Sequence, residues 1–488
     1  MTDKNIICTM VYALFIGMLT PTFSQDKNAT SSNSSTRVYV NSDNGKGISR
    51  WETSSGLTDF KVEMRGKIEL TSDDKEIKSI SDDGYLEITK TVFGSRRAII
   101  IESLGDGKMK KEYYEGRTKM NWEPNGREWL GEILPELLRT TGIAAESRVI
   151  RFFKQGGTKA VLNEIGQIES EHVQALYADH LMNQPVPAKD YVQIINTLSS
   201  SISSDHYLAT FLQNNISKFM KVKEATQAVL SAAGKIGSDH YKTLIITEAL
   251  STDDISPENV KLVLTAAGEM DSDHYKTEVL TSLIEHDNLA DDILTAVLTS
   301  TRSLESDHYR TVVLTEVLEK ENLSAAAYAE AIASVKEIDS DHYITVVIKD
   351  LLDKKLTDEV LTEVLNVSAA IGSDHYRTEV LTSLIDRHTL TQSQLKTLFT
   401  ASADMSSDHY KTIVLQEALS RKLTNADLIN LLNSTTMLDS DHYLTEVLVD
   451  VAPHANAGSA EVKEAFRKAA RNISNETYYG RVMKSIDF

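Results

Sequence analysis

Three patterns of apolar and polar positions follow one another along the chain. The first is an unbroken apolar run, Ile6 to Leu19 (IICTMVYALFIGML). The second is alternation. Leu86 and Ile88 sit between Tyr85, Glu87 and Thr89, and Arg97 to Glu102 is a run centred on Ile99, Ile100 and Ile101. Lys108 to Tyr114 can pair with that run across Leu104-Gly105-Asp106-Gly107, and Asp82-Asp83-Gly84 is another hairpin signal. A period of two means strands, so residues 37–122 are expected to form a small antiparallel meander or sandwich. The third pattern has the helical period. Trp129, Ile133, Leu137 and Leu138 make a stripe interrupted by Pro135, followed by short helices at Ala144 to Phe153 and Thr158 to Ile168. Residues 123–168 are therefore expected to form a helical adaptor that caps the next region.

From 169 to 488 the helical pattern repeats. The tetrapeptide Ser-Asp-His-Tyr occurs eight times, with its aspartates and histidines at Asp205-His206, Asp239-His240, Asp273-His274, Asp307-His308, Asp341-His342, Asp374-His375, Asp408-His409 and Asp441-His442. The aspartates are spaced by 34, 34, 34, 34, 33, 34 and 33 residues. Degenerate copies, Ser170-Glu171-His172-Val173 and Asn475-Glu476-Thr477-Tyr478, flank the series. Irregular end units are what a stacked array needs, because its ends face water. Each motif is followed by an apolar stripe, as in Tyr275, Val279, Leu280, Leu283 and Ile284. A second helix fills each unit; in one, Thr357 caps it, Leu356 staples onto Leu361, and Leu361, Val364 and Leu365 face inward. The fold expected is α+β and multi-domain: a small antiparallel β domain, then a long α-solenoid of about ten 34-residue helical hairpins. The period matches tetratricopeptide repeats but their Trp, Leu-Gly-Tyr and Pro pattern is missing, so the array is better described as HEAT-like.

Two residues before each motif serine is an apolar residue (Ile202, Ile236, Met270, Leu304, Ile338, Ile371, Met405, Leu438). The residue between them, such as Ser203, Asp271 or Asp339, suits a helix N-cap. With that cap, the motif aspartate falls at N2, favoured by the helix dipole, and the tyrosine falls at N4, stapled to the apolar residue. The motif thus reads as a helix-start cassette.

Composition changes the picture in two ways. The chain of 488 residues carries 51 Lys+Arg against 71 Asp+Glu, net −20, and one cysteine. The charge is uneven: residues 25–122 hold 17 basic and 16 acidic residues, 123–168 hold 6 of each, and 169–488 hold 27 against 48. An acidic surface argues against nucleic acid as a partner, since phosphate contacts need clustered Lys and Arg. The lone Cys8 lies in the first apolar run, which excludes a disulfide framework and a cysteine zinc site. Residues 1–24 read as a signal peptide, with small Thr22 and Ser24 at the cleavage positions, and 25–36 (QDKNATSSNSST) as a disordered leader. The mature chain is then expected to be exported and to have no membrane span.

Ser, Asp and His side by side invite a hydrolase reading. Consecutive helical residues point in different directions, whereas a triad converges. Adjacent repeats place equivalent histidines on the order of 10 Å apart, too far to share a zinc ion with ligand bonds of about 2 Å. No catalytic, cofactor or metal site is therefore assigned. The sixteen motif Asp and His residues are read as a structural ladder or a partner-contact column. His180, His286, His388 and His454 read as solvated surface residues. The Asn41 to Gly47 and Ser81 to Gly84 stretches read as turns, because neither has the full ligand set of a calcium loop.

The stretch Arg127 to Gly142 (REWLGEILPELLRTTG), then Ala145 to Val149 (AESRV), Gly156-Gly157 and Val161 to Ile165 (VLNEI), resembles the extracytoplasmic region appended to some bacterial BlaR-like membrane metallopeptidases. The preceding FKVEMRGKIELTSDD and DDGYLEI segments and the Ser-Asp repeats share that resemblance. HExxH and the membrane helices of the peptidase part are missing, so zinc proteolysis does not carry over. What the resemblance implies is a protein of the bacterial periplasm or cell envelope, with secretion as the second choice, carrying a sensing or interaction module. The function expected is a non-enzymatic binding or scaffold protein, using its acidic solenoid for a protein or peptide partner of basic character. The rival is a regulator acting with an envelope peptidase, or itself a hydrolase.

Overall fold

The computed structural model describes residues 34–41, 47–251, 256–286 and 289–488. The signal-peptide expectation, residues 25–33 of the expected leader and most of Asn41 to Gly47 lie outside the described residues. The chain divides into two units, Met1–Ala144 and Ala145–Phe488.

In the first unit the alternating segments form strands β1 (Ser34–Asn41), β2 (Ile48–Ser55), β3 (Thr58–Arg65), β4 (Ile68–Leu70), β5 (Ile77–Ile80), β6 (Tyr85–Val92), β7 (Ser95–Ser103), β8 (Met109–Glu115) and β9 (Thr118–Met120). β1 begins inside the stretch expected as disordered leader, at Ser34. Seven strands make one antiparallel sheet in the order β1-β2-β3-β6-β7-β8-β9, and β4-β5 is a separate hairpin inserted between β3 and β6. The sheet is thus a meander with one insertion. Its registers place apolar residues opposite one another: Val62 with Ile88, Ile88 with Ile99, Leu86 with Ile101, Ile99 with Tyr113. That face is covered by helix α1 (Arg127–Thr141), whose Trp129, Leu130, Ile133, Leu134, Leu137 and Leu138 join the strand residues in one core. Each such buried side chain contributes about 1.5–3 kcal/mol of transfer free energy. The stripe runs straight through Pro135, which lies inside the helix without ending it. The helix ends at Gly142, in the left-handed conformation (φ +71) that a Cβ disfavours, with its N–H on the Leu138 carbonyl. All three tryptophans of the chain, Trp51, Trp122 and Trp129, belong to this unit.

The second unit opens with α2 (Ala145–Ile165), broken at Gly156-Gly157 into the two short helices expected. Its two halves are joined by a buried ion pair, Arg148 Nη2 to Glu164 Oε1 at 2.9 Å, and Arg148 also donates to the Tyr177 hydroxyl. The expected adaptor is therefore divided, α1 filling the sheet's core and α2 the helical core. Beyond it come helical hairpins: among the described residues, ten A helices from Glu171–Met182 to Glu476–Met483, and nine B helices from Tyr191–Ser201 to Ala460–Ala470. A helices pack on neighbouring A helices and B helices on neighbouring B helices, over one continuous apolar core. The cap at Thr357 is as expected: its hydroxyl accepts the Val360 N–H, and Leu361, Val364 and Leu365 are buried. Among the described residues no helix is long and apolar enough to cross a membrane.

The small variations in repeat length have a fixed place. From Val222 onward every B-helix cap lies 17 residues before the next motif acid, as in Val222 to Asp239, Thr357 to Asp374 and Ser459 to Glu476. The stretch from a motif acid to its own B cap is 17 residues in most units. It is 16 from Asp341 to Thr357 and from Asp408 to Thr424, and 18 from Asp441 to Ser459. From Val222 onward the turn from A to B absorbs every change, and the junction from B to the next A absorbs none.

Candidate functional site: the Ser-Asp-His-Tyr column

The B-to-A junction carries the motif. Each A helix begins one residue later than the cassette predicts. The motif serine is the N-cap: Ser204, Ser238, Ser272, Ser306, Ser340, Ser373, Ser407 and Ser440 are extended, and each carbonyl accepts the first helical N–H. The aspartate is then N1 and the tyrosine N3, so the expected staple register is displaced by one. The cap serine's hydroxyl makes no capping bond.

A carboxylate from the preceding unit instead takes N–H groups just ahead of the helix, those of the cap serine and, in most units, of the residue before it. Asp205 accepts from the Gly237 and Ser238 N–H groups at 3.0 and 2.8 Å. Asp239 accepts from Asp271 and Ser272, Asp307 from Asp339 and Ser340, Asp341 from Gly372 and Ser373, Asp374 from Ser406 and Ser407, and Asp441 from Ser474 and Asn475. Asp273 takes Ser306 and Asp408 takes Ser440. The degenerate Glu171 takes Ser203 and Ser204. These nine carboxylates form a ladder of charge-assisted bonds that ties each helix N-terminus to the unit before it. The serine, whose own N–H is held by this ladder, is the last extended residue before the helix, so the helix starts one residue later than expected.

The rings form a second ladder. Each motif histidine lies 5.1–5.3 Å from its own tyrosine ring and 5.7–6.0 Å from the tyrosine of the next unit. With His172 against Tyr207 at 5.4 Å, an unbroken zigzag of rings runs from His172 to Tyr478. His206 Nδ1 is 3.0 Å from the Tyr241 hydroxyl, and His240 Nδ1 is 3.4 Å from that of Tyr275. The tyrosines are half-buried; seven of the eight motif histidines are exposed and His206 is half-buried. His375 and His442 pair with Glu379 and Glu446 one turn on. Partial desolvation of this solvent-facing ring, packed on one side by Tyr207, and then the neighbouring His206, hold the His172 imidazole below its ordinary range.

Aspartate and histidine of one motif therefore face different partners, backbone N–H groups and tyrosine rings, and do not converge with the serine as a triad would. Among the described residues no three His, Cys, Asp or Glu side chains are placed to hold a metal ion. Of the isolated histidines, His388 is not simply solvated: its Nε2 is 2.9 Å from the Leu352 carbonyl.

The sequence reading missed a third component. The residue after the tyrosine is a buried cation in five units, Lys242, Lys276, Arg310, Arg377 and Lys411, each under a tenth exposed. Arg377 Nε donates to the Ile371 carbonyl at 2.8 Å and its Nη1 to the Ala401 carbonyl of the next unit at 3.3 Å. Arg310 reaches the Thr301, Leu304 and Glu337 carbonyls, and Lys411 the Met437 carbonyl at 2.9 Å. Carbonyls at the ends of B helices carry partial negative charge, which a cation satisfies. Where the cation reaches a carbonyl, the junction is therefore clamped at both polarities, carboxylate on N–H and cation on carbonyl. The only sequence signal was a charge at a position where Leu208, Ile344 and Leu444 are aliphatic.

No known protein family matches the chain, and no curated protein is similar to it.

Proposed function

We propose that the chain is an exported, non-enzymatic binding protein whose acidic helical stack takes a basic protein or peptide. The supporting observation is how charge is spent in the second unit. Of the 48 acidic residues of 169–488, nine are ladder carboxylates, and of the 27 cations five are buried in the junctions. The 39 acidic and 22 basic side chains that remain still carry a large negative excess. The conspicuous motif is consumed by holding the units together, so recognition falls to this remaining surface and to the exposed edges of the histidine column. A long stack of helical hairpins offers an extended surface suited to an extended partner.

A field of one sign steers an oppositely charged partner and weakens with salt. Titration of the full chain with a lysine- and arginine-rich peptide should show binding that weakens about tenfold between about 0.05 and 0.3 M salt. A scrambled acidic peptide should not bind. Equal affinity for both peptides, or binding indifferent to salt, would count against the reading.

A further inference from the structure

Three reverse turns meet at one end of the sheet: Gly56-Leu57, Phe93-Gly94 and Gly116-Arg117. They are stitched together by the Phe93 N–H on the Leu57 carbonyl (3.0 Å) and the Gly116 N–H on the Arg96 carbonyl (2.8 Å). Five large apolar side chains are exposed among the described residues, and three of them stand here: Leu57 at 66%, Val92 at 37% and Phe93 at 79%. Phe93 is also in the wrong conformation for its type. With φ +48 at Phe93 and +81 at Gly94, the two-residue loop is a type I′ turn, which favours Asn, Asp or Gly at both places. A bulky side chain in that region is strained, and at 79% exposure no packing offsets the strain.

Behind the Leu57 and Phe93 tips lie exposed Arg96 and Arg97, with Arg117 in the third turn, which is level with Arg96; the Arg96 guanidinium also reaches Thr89 Oγ1 at 3.3 Å and Glu87 at 3.9 Å. Arg96 and Arg97 lead β7, opposite Thr91 and Lys90. The carboxylates of this end, Asp59 and Glu115, accept from the Ser54 and Tyr113 hydroxyls at 2.7 Å.

We propose that this end of the sheet docks on an anionic lipid surface, with Leu57 and Phe93 entering the boundary between headgroups and acyl chains and the arginines meeting phosphates. The order of chemistry, apolar outermost and cationic one step behind, is the order a bilayer interface presents. The apolar groups sit on convex turn tips, whereas a protein anchor is ordinarily received in a concave pocket. Residues 25–122 are themselves nearly balanced in charge, with 17 basic and 16 acidic residues.

The test is co-sedimentation of the full chain with vesicles of phosphatidylcholine alone or with about one quarter phosphatidylglycerol. The expected result is binding to the anionic vesicles at least about tenfold stronger than to the neutral ones. Phe93→Asn suits the turn and should stay folded, with Tm at or above the parent, yet lose about tenfold in vesicle binding. Leu57→Ser should act in the same direction, and Arg96→Gln with Arg117→Gln should flatten the salt dependence. No sedimentation, equal binding to both vesicles, or a Phe93→Asn chain that binds like the parent would each overturn the proposal. So would Phe93→Asn sparing vesicles but abolishing capture of an envelope protein. Basic-peptide binding by the helical stack should be unchanged in Phe93→Asn, so failure of one reading is distinguishable from failure of the other.

Discussion

Asp307 accepts two backbone N–H groups that belong to the next unit's helix start. Asp307→Ala leaves both without their acceptor, and urea unfolding should show a loss of about 1–3 kcal/mol. Asp307→Asn keeps an acceptor oxygen and should lose less. Arg310 is a different case. Its guanidinium satisfies carbonyls, but Ile344 occupies the same place in the next unit without doing so. Arg310→Ile keeps the packing but leaves those carbonyls and the Asp307 carboxylate, 3.6 Å from the guanidinium, without their cation, and should cost about 1–3 kcal/mol. Arg310→Ala adds a cavity and should cost more still, by about 2 kcal/mol. At this scale the sequence named the motif but misplaced its helix start by one residue. Local capping rules look for a cap's partner within the same turn, and here the partner sits 31 to 34 residues away, as Asp205 does from Gly237 and Ser238 at 32 and 33.

At the scale of elements, the period and the two helices per unit were plain in the apolar stripes. Where the period could vary was not, because spacing counts from motif to motif do not say which turn shortens. The ladder gives the physical answer. A residue added between a B helix and its following motif would rotate the N–H groups away from the waiting carboxylate, while one added in the A-to-B turn disturbs no rung. Inserting a glycine after Lys354, in a turn already one residue short, should cost less than about 1 kcal/mol, since loop length is entropically cheap. The same insertion between Ile338 and Asp339 should cost more than about 2 kcal/mol and broaden the denaturation curve. The strands of the first unit were legible from alternation, yet Pro135 was over-weighted: the packing of Trp129 to Leu138 against the sheet outweighs the missing hydrogen bond.

For the whole molecule, nearest-neighbour ties imply that a unit can be removed if the cut respects the ladder. Deleting 307–340 brings Asp341 into the place of Asp307 after Ser306, and circular dichroism should show a folded, cooperative and somewhat less stable chain. The amino-terminal end of the stack should also be its acid-sensitive end. His172 is held below its ordinary value of 6.5, so the folded state binds the proton less well than the unfolded state. Its contribution is present above 6.5 and lost as pH falls below it. Hydrogen exchange at 171–182 should accelerate as pH drops through that range, after correction for intrinsic rates. His172→Phe keeps the ring against Tyr207 and should remove that dependence. The division between the units was the least legible feature. Residues 123–168 are all helical in pattern, and only the core each stripe fills separates α1 from α2.

The distribution of aromatic residues makes the two units optically separable. Indole emission, excited at the red edge where phenol does not absorb, arises from Trp51, Trp122 and Trp129 and so follows the first unit alone. The phenol rings stacked on imidazoles from Tyr207 to Tyr478 give the second unit a near-ultraviolet dichroic signal of its own. One unlabelled sample, heated once and watched at two wavelengths, will tell whether the sheet and the helical stack melt together or apart.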